Sequence, residues 1–439
     1  MDRQVLLLEL NEVSFDHVQA YAARGLMPNI SRLIEKHGLV KTVSEQRYEE
    51  LEPWIQWVTA HTGLPYRAHR VFRLGDILKH DLPQIWERLE EHGLRVGAIS
   101  PMNAKNRTRD AAFFVPDPWT SGRVTGGALL RRLYGAVAQA VQDNAHARVS
   151  PASAFWLASG LARYARPVNY RIYAALAAMR RPWSRAMFLD LFLSDLFIRE
   201  TERTTPHFAS LFLNGAAHIQ HHYMFSSSAY TGEQRNPDWY VPKGEDPVGE
   251  VYRLYDRIVG QVRARFPRAR LMLVTGLHQE PCEAAVFYWR LKDFTGFLRK
   301  LDVPFVRAEA RMSRDFFIEC ASADDAAAAE RILTGARAAN GVSLFKVDNR
   351  GRDLFVELVW PNDIPADFVY FVDGKPRTGL RDDVSFVAIK NGQHNGIGYF
   401  IDTGAAPGEH PESFPLAEIP ARICASLGVR WQDPAEAAA

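Results

Sequence analysis

Cysteine is nearly absent: Cys282, Cys320 and Cys424 are the only three among 439 residues, and no CxxC pair occurs. That excludes a disulfide-stapled scaffold and a cysteine-held zinc module, and an odd, scattered set suits a reducing compartment. Also missing is any apolar run approaching the ~18 residues of a membrane-spanning helix. The opening stretch from Val5 to Leu10 is short, contains Glu9 and runs into Asn11 and Glu12. It reads as a buried strand rather than a leader peptide. Net charge is small as well: 53 Lys and Arg face 51 Asp and Glu, leaving +2, too little for whole-chain attraction to a polyanion. No helix-turn-helix, finger or RNP signature appears, so no nucleic-acid partner is expected. The expectation is a soluble cytoplasmic protein. What remains is globular material, 47% hydrophobic and 24% charged, long enough for about two or three structural units.

Strand and helix patterns alternate along much of the chain. Val5–Leu10 suits a strand buried on both faces, followed by helical spacing at Val18, Ala22, Ile30, Leu33 and Ile34. A short helix starts at Pro53 and stops at Gly63; another spans 82–93 before a strand at 96–100. Residues 205–214 form an apolar strand, 250–265 an amphipathic helix ending before Pro267, and 271–275 another strand. This alternation predicts an α/β fold with a mostly parallel central sheet flanked by helices. Ligands of such sheets sit beyond the carboxyl ends of the strands. That rule points to Asn11 and Glu12, Ser100, Asn214 and Gly276.

Two segments interrupt the core. Between 120 and 185 there are ten arginines and a single acid, Asp143. So a helical stretch carrying about +9 sits in an otherwise acidic chain. It is a solvated helical cap, or a surface for anionic substrate, a peripheral membrane contact or an acidic partner. Residues 313–360 instead read strand–helix–strand–strand, a small α+β subdomain. The expected organisation is core over 1–119, an arginine-rich helical insertion over 120–200, and core again over 201–290. An inserted α+β subdomain follows over 291–385, then a return to the core over 386–430 and a tail at 431–439.

Histidines gather at the predicted strand ends. His218, His221 and His222 lie in NGAAHIQHHY after the 205–214 strand, His278 follows LMLVTG, and His394 lies in a glycine-rich turn, NGQHNGIGYF. Imidazoles delivered to one sheet edge beside Asn11 and Glu12 suit a divalent transition metal, though each alone also suits a hydrogen-bonded structural role. Glu52 precedes Pro53 at a helix start, where acids favour the helix dipole. It is either that or a metal ligand or general base.

These segments, VLLLELNEVSFDHV, GLMPNISRLIEKHG, WVTAHTGLPYRAH, HIQHHY, LYDRIVGQVRARFPRARLMLVTGLHQ, NGQHNGIGYFIDTG and IPARICASLGV, resemble in order the alkaline phosphatase superfamily. The likeness is nearest to its type I phosphodiesterase/nucleotide pyrophosphatase and sulfatase-like branches. The resemblance implies that superfamily's α/β fold, a zinc-type metal site and a small substrate bearing phosphate or, less readily, sulfate. His221 and His394 fall on metal positions, and His69 keeps a downstream spacing. Elsewhere the sequence departs: Asn11 and Ala217 replace metal aspartates, Gly276-Leu277 replaces an Asp-His pair, and Glu52-Pro53 stands where a Ser, Thr or Cys nucleophile belongs. Fewer carboxylates favour one ion over two. The expected metal donors are Asn11, Glu12, His221, His278 and His394, with Glu52 catalytic and His218, His69, Arg131 and Arg132 on the substrate. The expected activity is hydrolysis or transfer of a phosphate ester by direct attack of metal-activated water or acceptor. The alternative is a degenerate relative that binds an anionic glycan, nucleotide sugar or lipid intermediate.

Overall fold

A computed structural model of the chain describes residues 4–142, 150–310 and 314–432. Asp143, Arg148 and all but the first two residues of the 431–439 tail lie outside the described residues. The chain divides into two compact units. The first comprises residues 1–231, 244–280 and 392–439, and the second 232–243 and 281–391. The second unit therefore takes in residues 232–243 as well as the expected α+β insertion.

In the first unit an eight-stranded sheet runs in the order Ser413–Pro415, Val40–Val43, Ile397–Asp402, Arg270–Val274, Val5–Leu10, Phe208–Leu213, Val96–Ile99, Phe113–Val115. Ile397–Asp402 is antiparallel to both its neighbours; the other pairings are parallel. The central strands Val5–Leu10 and Phe208–Leu213 are buried at every position, as a sheet covered on both faces requires. Glu9 stays inside this core because its carboxylate meets His61 Nε2 at 2.9 Å, with both side chains fully covered. Register does the positional work. Leu10 pairs with Leu213 and Glu9 with Val274, so Asn11 and Asn214 emerge side by side and Thr275 one residue short of them on the same edge.

The helix Pro53–Thr62 carries proline in its first turn and ends on Gly63 in the left-handed conformation, φ 74°. A Cβ at Gly63 would come within 2.8 Å of the Trp431 ring, so space and backbone both demand glycine. The arginine-rich region forms helices Ala128–Gln142, Pro151–Tyr164, Tyr170–Ala178 and Ser184–Thr204. Asp195, on the last of these, holds helix Tyr170–Ala178 and the turn before it, accepting from Arg166 N at 2.8 Å, Asn169 Nδ2 at 2.7 Å and Tyr173 OH at 2.9 Å. Asp190, on the same buried helix, accepts from Gly215 N at 2.7 Å and Tyr255 OH at 2.6 Å. It thereby anchors the start of helix Gly215–Tyr223. Both acids are structural partners.

In the second unit, strands Phe345–Asn349, Asp353–Leu358, Asp315–Glu319 and Arg307–Ala310 form an antiparallel sheet in that order. Helix Ala323–Gly335 shares with it a core that includes Phe316, Ile318, Leu333, Leu354 and Val356. Strand His278–Leu291 carries the chain out of the first unit and Val384–Asn395 carries it back. Two features differ from the sequence expectation here. His278 opens a long strand, and His394 lies in a strand rather than a turn, with Gly396 separating it from the next one.

Burial pushes the Asp190 carboxyl up to about 6. The folded state thus holds this proton more tightly than the unfolded chain, and the group's contribution to stability falls as pH rises from about 4 to about 6. Asp190→Asn keeps the acceptor and removes the titration. Urea unfolding at several pH values should show the variant gaining on wild type through that window, by about 3 kcal/mol in all. A pH-independent difference would refute this assignment of the Asp190 proton.

Candidate metal centre

The centre is built around Glu12, in the turn after strand Val5–Leu10, with φ 58°, in the left-handed region that side chains rarely enter. Backbone bonds hold it there: Glu12 N donates to Thr275 O at 3.1 Å, and Glu12 O accepts from Gln220 Nε2 at 2.8 Å. This turn aims a carboxylate that is 2% exposed at two imidazoles. Glu12 Oε2 lies 3.1 Å from His221 Nε2 and 3.1 Å from His394 Nε2, and the two nitrogens are 3.2 Å apart. Among the described residues, this is the one group of three such side chains whose donor atoms converge.

The tautomer of His221 follows from its other contact. His221 Nδ1 lies 3.2 Å from Gly392 O, and a carbonyl only accepts, so Nδ1 carries a proton. In its neutral form the ring presents its Nε2 lone pair to the triangle. Three electron-rich atoms this close repel unless a proton or a metal cation lies among them. A tetrahedral zinc with ligands at about 2.0–2.1 Å has donor–donor edges of about 3.3–3.4 Å. The observed triangle matches one face of such a site. Two imidazoles and a carboxylate also suit zinc or a similar transition ion better than calcium or magnesium, which favour oxygen. Burial opposes charge on Glu12, but His394 and His221 outweigh it and hold the carboxyl well below its ordinary value.

Supporting residues fix the triangle. Asn11 Nδ2 donates to Glu12 Oε1 at 2.9 Å and to Asn214 Oδ1 at 2.8 Å, while its Oδ1 accepts from Trp57 Nε1 at 2.6 Å. Asn11 is thus a brace rather than the donor expected of it. Gln279 Nε2 donates to Glu12 Oε2 and to Ala217 O. Its neighbour His278 stands apart from the triangle, with Nδ1 on Ile397 O and its ring against Tyr399. The two are adjacent at the start of one strand, where successive side chains point to opposite faces. Only Gln279 faces Glu12.

The same alternation sorts the returning strand. His394 joins the triangle and Gly392 offers it a carbonyl, whereas Gln393 and Asn395 donate to Glu280 at 3.0 Å each. A Cβ at Gly392 would fall 2.2 Å from Gln279 Oε1, so glycine there makes room for the brace.

Glu52 occupies the residue before helix Pro53–Thr62 without a capping bond from its side chain, and its Oε2 lies 3.8 Å from His394 Nδ1 with the side chain 36% exposed. It therefore sits at the solvent side of the triangle. The remaining expected residues lie elsewhere. His69 is in the core, with Nδ1 accepting from Val71 N and Nε2 3.2 Å from Thr59 Oγ1; burial holds it neutral, down to about 3. His218 is exposed on helix Gly215–Tyr223 and packs edge-on to His222. Arg131 bonds Gly126 O, and Arg132 lies over the Trp156 ring. Neither Gln279 nor Trp57, the latter read from the sequence as core or cleft wall, was expected to brace the site, since neither residue type signals a metal. Their placement after a strand end and one helical turn past Glu52 was the only available hint.

No protein-family model and no curated protein matches the chain. Among solved structures it is similar to phosphonoacetate hydrolase from Sinorhizobium meliloti 1021 in complex with phosphonoformate. That match has 12% identity and a TM-score of 0.46, covering 97% of this chain and 96% of that one. It is also similar to murine ectonucleotide pyrophosphatase/phosphodiesterase 5 in complex with AMP, at 11% identity and a TM-score of 0.44, covering 97% and 95%. The structure of human ectonucleotide pyrophosphatase/phosphodiesterase 5 aligns at 10% identity and a TM-score of 0.43, covering 98% and 96%.

Replacing Gln279 by Met removes one donor to the Glu12 carboxylate at little change in volume. Zinc affinity measured by calorimetry should fall about 10–100-fold, with an unchanged far-UV circular dichroism spectrum. Unaltered affinity would show that the amide does not position the carboxylate.

Proposed function

We propose that the protein is a metal-dependent hydrolase or transferase of phosphate esters, less readily of sulfate esters, in which water or an acceptor attacks directly. The observation that carries this reading is the triangle of Glu12, His221 and His394, held on one sheet edge at the spacing of a transition-metal site. The ordered motifs resembling the alkaline phosphatase superfamily support it. A single converging donor group among the described residues favours one ion, with zinc the best chemical match.

A bound zinc ion would supply Lewis acidity towards an ester oxygen and lower the pKa of water to about 7. The chain's own groups do the rest. Glu12, His221 and His394 would hold the ion, while Asn11 and Gln279 keep the Glu12 carboxylate aimed. Glu52 stands where the resemblance implies a nucleophile. A carboxylate there, partly exposed and beside His394, is suited to take a proton from the attacking water or hydroxyl. Helix Pro53–Thr62 sets both Glu52 and Trp57, so it couples the position of this base to the Asn11 brace.

Elemental analysis and zinc titration of the purified protein should give about one equivalent per chain. His221→Ala and His394→Ala should each abolish that binding, together with hydrolysis of p-nitrophenyl phosphate or its bis-ester. Glu52→Gln should retain zinc and lose about 10²–10⁴ in turnover. Folded protein that takes up no divalent ion, with both histidine variants unchanged, would leave the pocket as an anion-binding site and end the hydrolase reading.

A further inference from the structure

We infer that the arginine-rich helices of the first unit form a docking face for an anionic lipid surface. This inference does not rest on the metal centre. Its first support is charge: ten arginines and no lysine lie between 120 and 185, and the single acid, Asp143, is outside the described residues. Arg166 pairs with Asp195 and Arg181 with Glu245, both acids outside the stretch, and Arg148 is not among the described residues; Arg132, Arg163, Arg171 and Arg180 are exposed on the surface.

Its second support is the reversal of the usual surface pattern. An ordinary surface helix turns its apolar residues inward and its polar ones to water. Helix Pro151–Tyr164 instead exposes Ala152, Ala154, Phe155, Ala158 and Ala162, with Arg163 as its one exposed charge. Phe155 is 61% exposed. The following turn and helix repeat the pattern, with Val168 53% and Tyr170 54% exposed, several alanines open to water, and Arg171 the exposed charge. Arg180 follows, also exposed.

The third support is local. The Arg132 guanidinium lies 5.8 Å over the Trp156 ring, and Phe155 packs edge-on to the same indole at 5.0 Å. Cation and aromatic surface are thus offered together, at the boundary chemistry of a lipid headgroup layer.

These features select among anionic partners. A nucleic acid rewards phosphate contacts and base-edge donors, but exposed alanines provide neither. An acidic protein would repay the arginines while leaving the alanine faces to find separate apolar matches. The headgroup region of an anionic bilayer presents negative charge directly above apolar chains, and so satisfies both halves of this face.

Vesicle flotation of the full chain tests the inference. Wild type should float with vesicles of phosphatidylcholine containing one-third phosphatidylglycerol, remain behind with phosphatidylcholine alone, and be released by high salt. The triple variant Arg132→Gln, Arg171→Gln, Arg180→Gln should lower the partition coefficient on the order of 100-fold, each arginine near an anionic surface counting for about fivefold. Phe155→Ser with Tyr170→Ser should also weaken flotation; all changed residues are exposed or at the surface, and circular dichroism checks that each variant folds. Equal partition of wild type onto neutral and anionic vesicles would overturn the inference. So would wild-type flotation of the triple variant, or binding to a single-stranded RNA oligomer without any to anionic vesicles.

Discussion

A carboxylate withdrawn from water at the end of a central strand is the constraint around which the first unit is arranged. Charge on Glu12 is costly at 2% exposure unless hydrogen bonds and positive charge surround it. The left-handed backbone that aims it is a further cost, maintained only because neighbouring strands and Gln220 hold both sides of the peptide. What meets the carboxylate is two imidazole nitrogens, an asparagine and a glutamine, drawn from four separate parts of the chain.

Those parts meet because parallel strands share a register. Val5–Leu10, Phe208–Leu213 and Arg270–Val274 end within one residue of the same level, so the residues after each strand become neighbours. Helix Gly215–Tyr223 then carries His221 to the site, with its start fixed by Asp190 from the buried helix of the arginine-rich region. Helix Pro53–Thr62 presents Glu52 at its first turn and Trp57 one turn later. Structural acids and site residues are therefore mechanically continuous. The region bearing the exposed apolar, arginine-flanked helices is anchored through Asp195 to the same buried helix.

Much of the fold was legible because its signals are local. Apolar runs, helical stripes, Pro53 and Gly63 each report the conformation of their own neighbourhood, and the strands and helices stand within a few residues of where those patterns put them. The site was legible only in part. His221 and His394 stood out because imidazoles after strand ends carry a chemical signature. Gln279 and Trp57 carry none, since an amide or an indole in an apolar stretch looks the same whether it braces a carboxylate or fills a core.

From the sequence alone came the alternation of strands and helices, the concentration of arginine in one segment, and the edge of the sheet where donors gather. These depend on residues close together in the chain. Only the tertiary structure decided that Gln279 faces Glu12 while His278 turns away, that Asn11 braces instead of coordinating, and that alanine faces outward beside the arginines. Strand parity at a bend and the burial of one helix face by another are set through space. A shift of one residue reverses the first, and the second depends on partners scores of residues away.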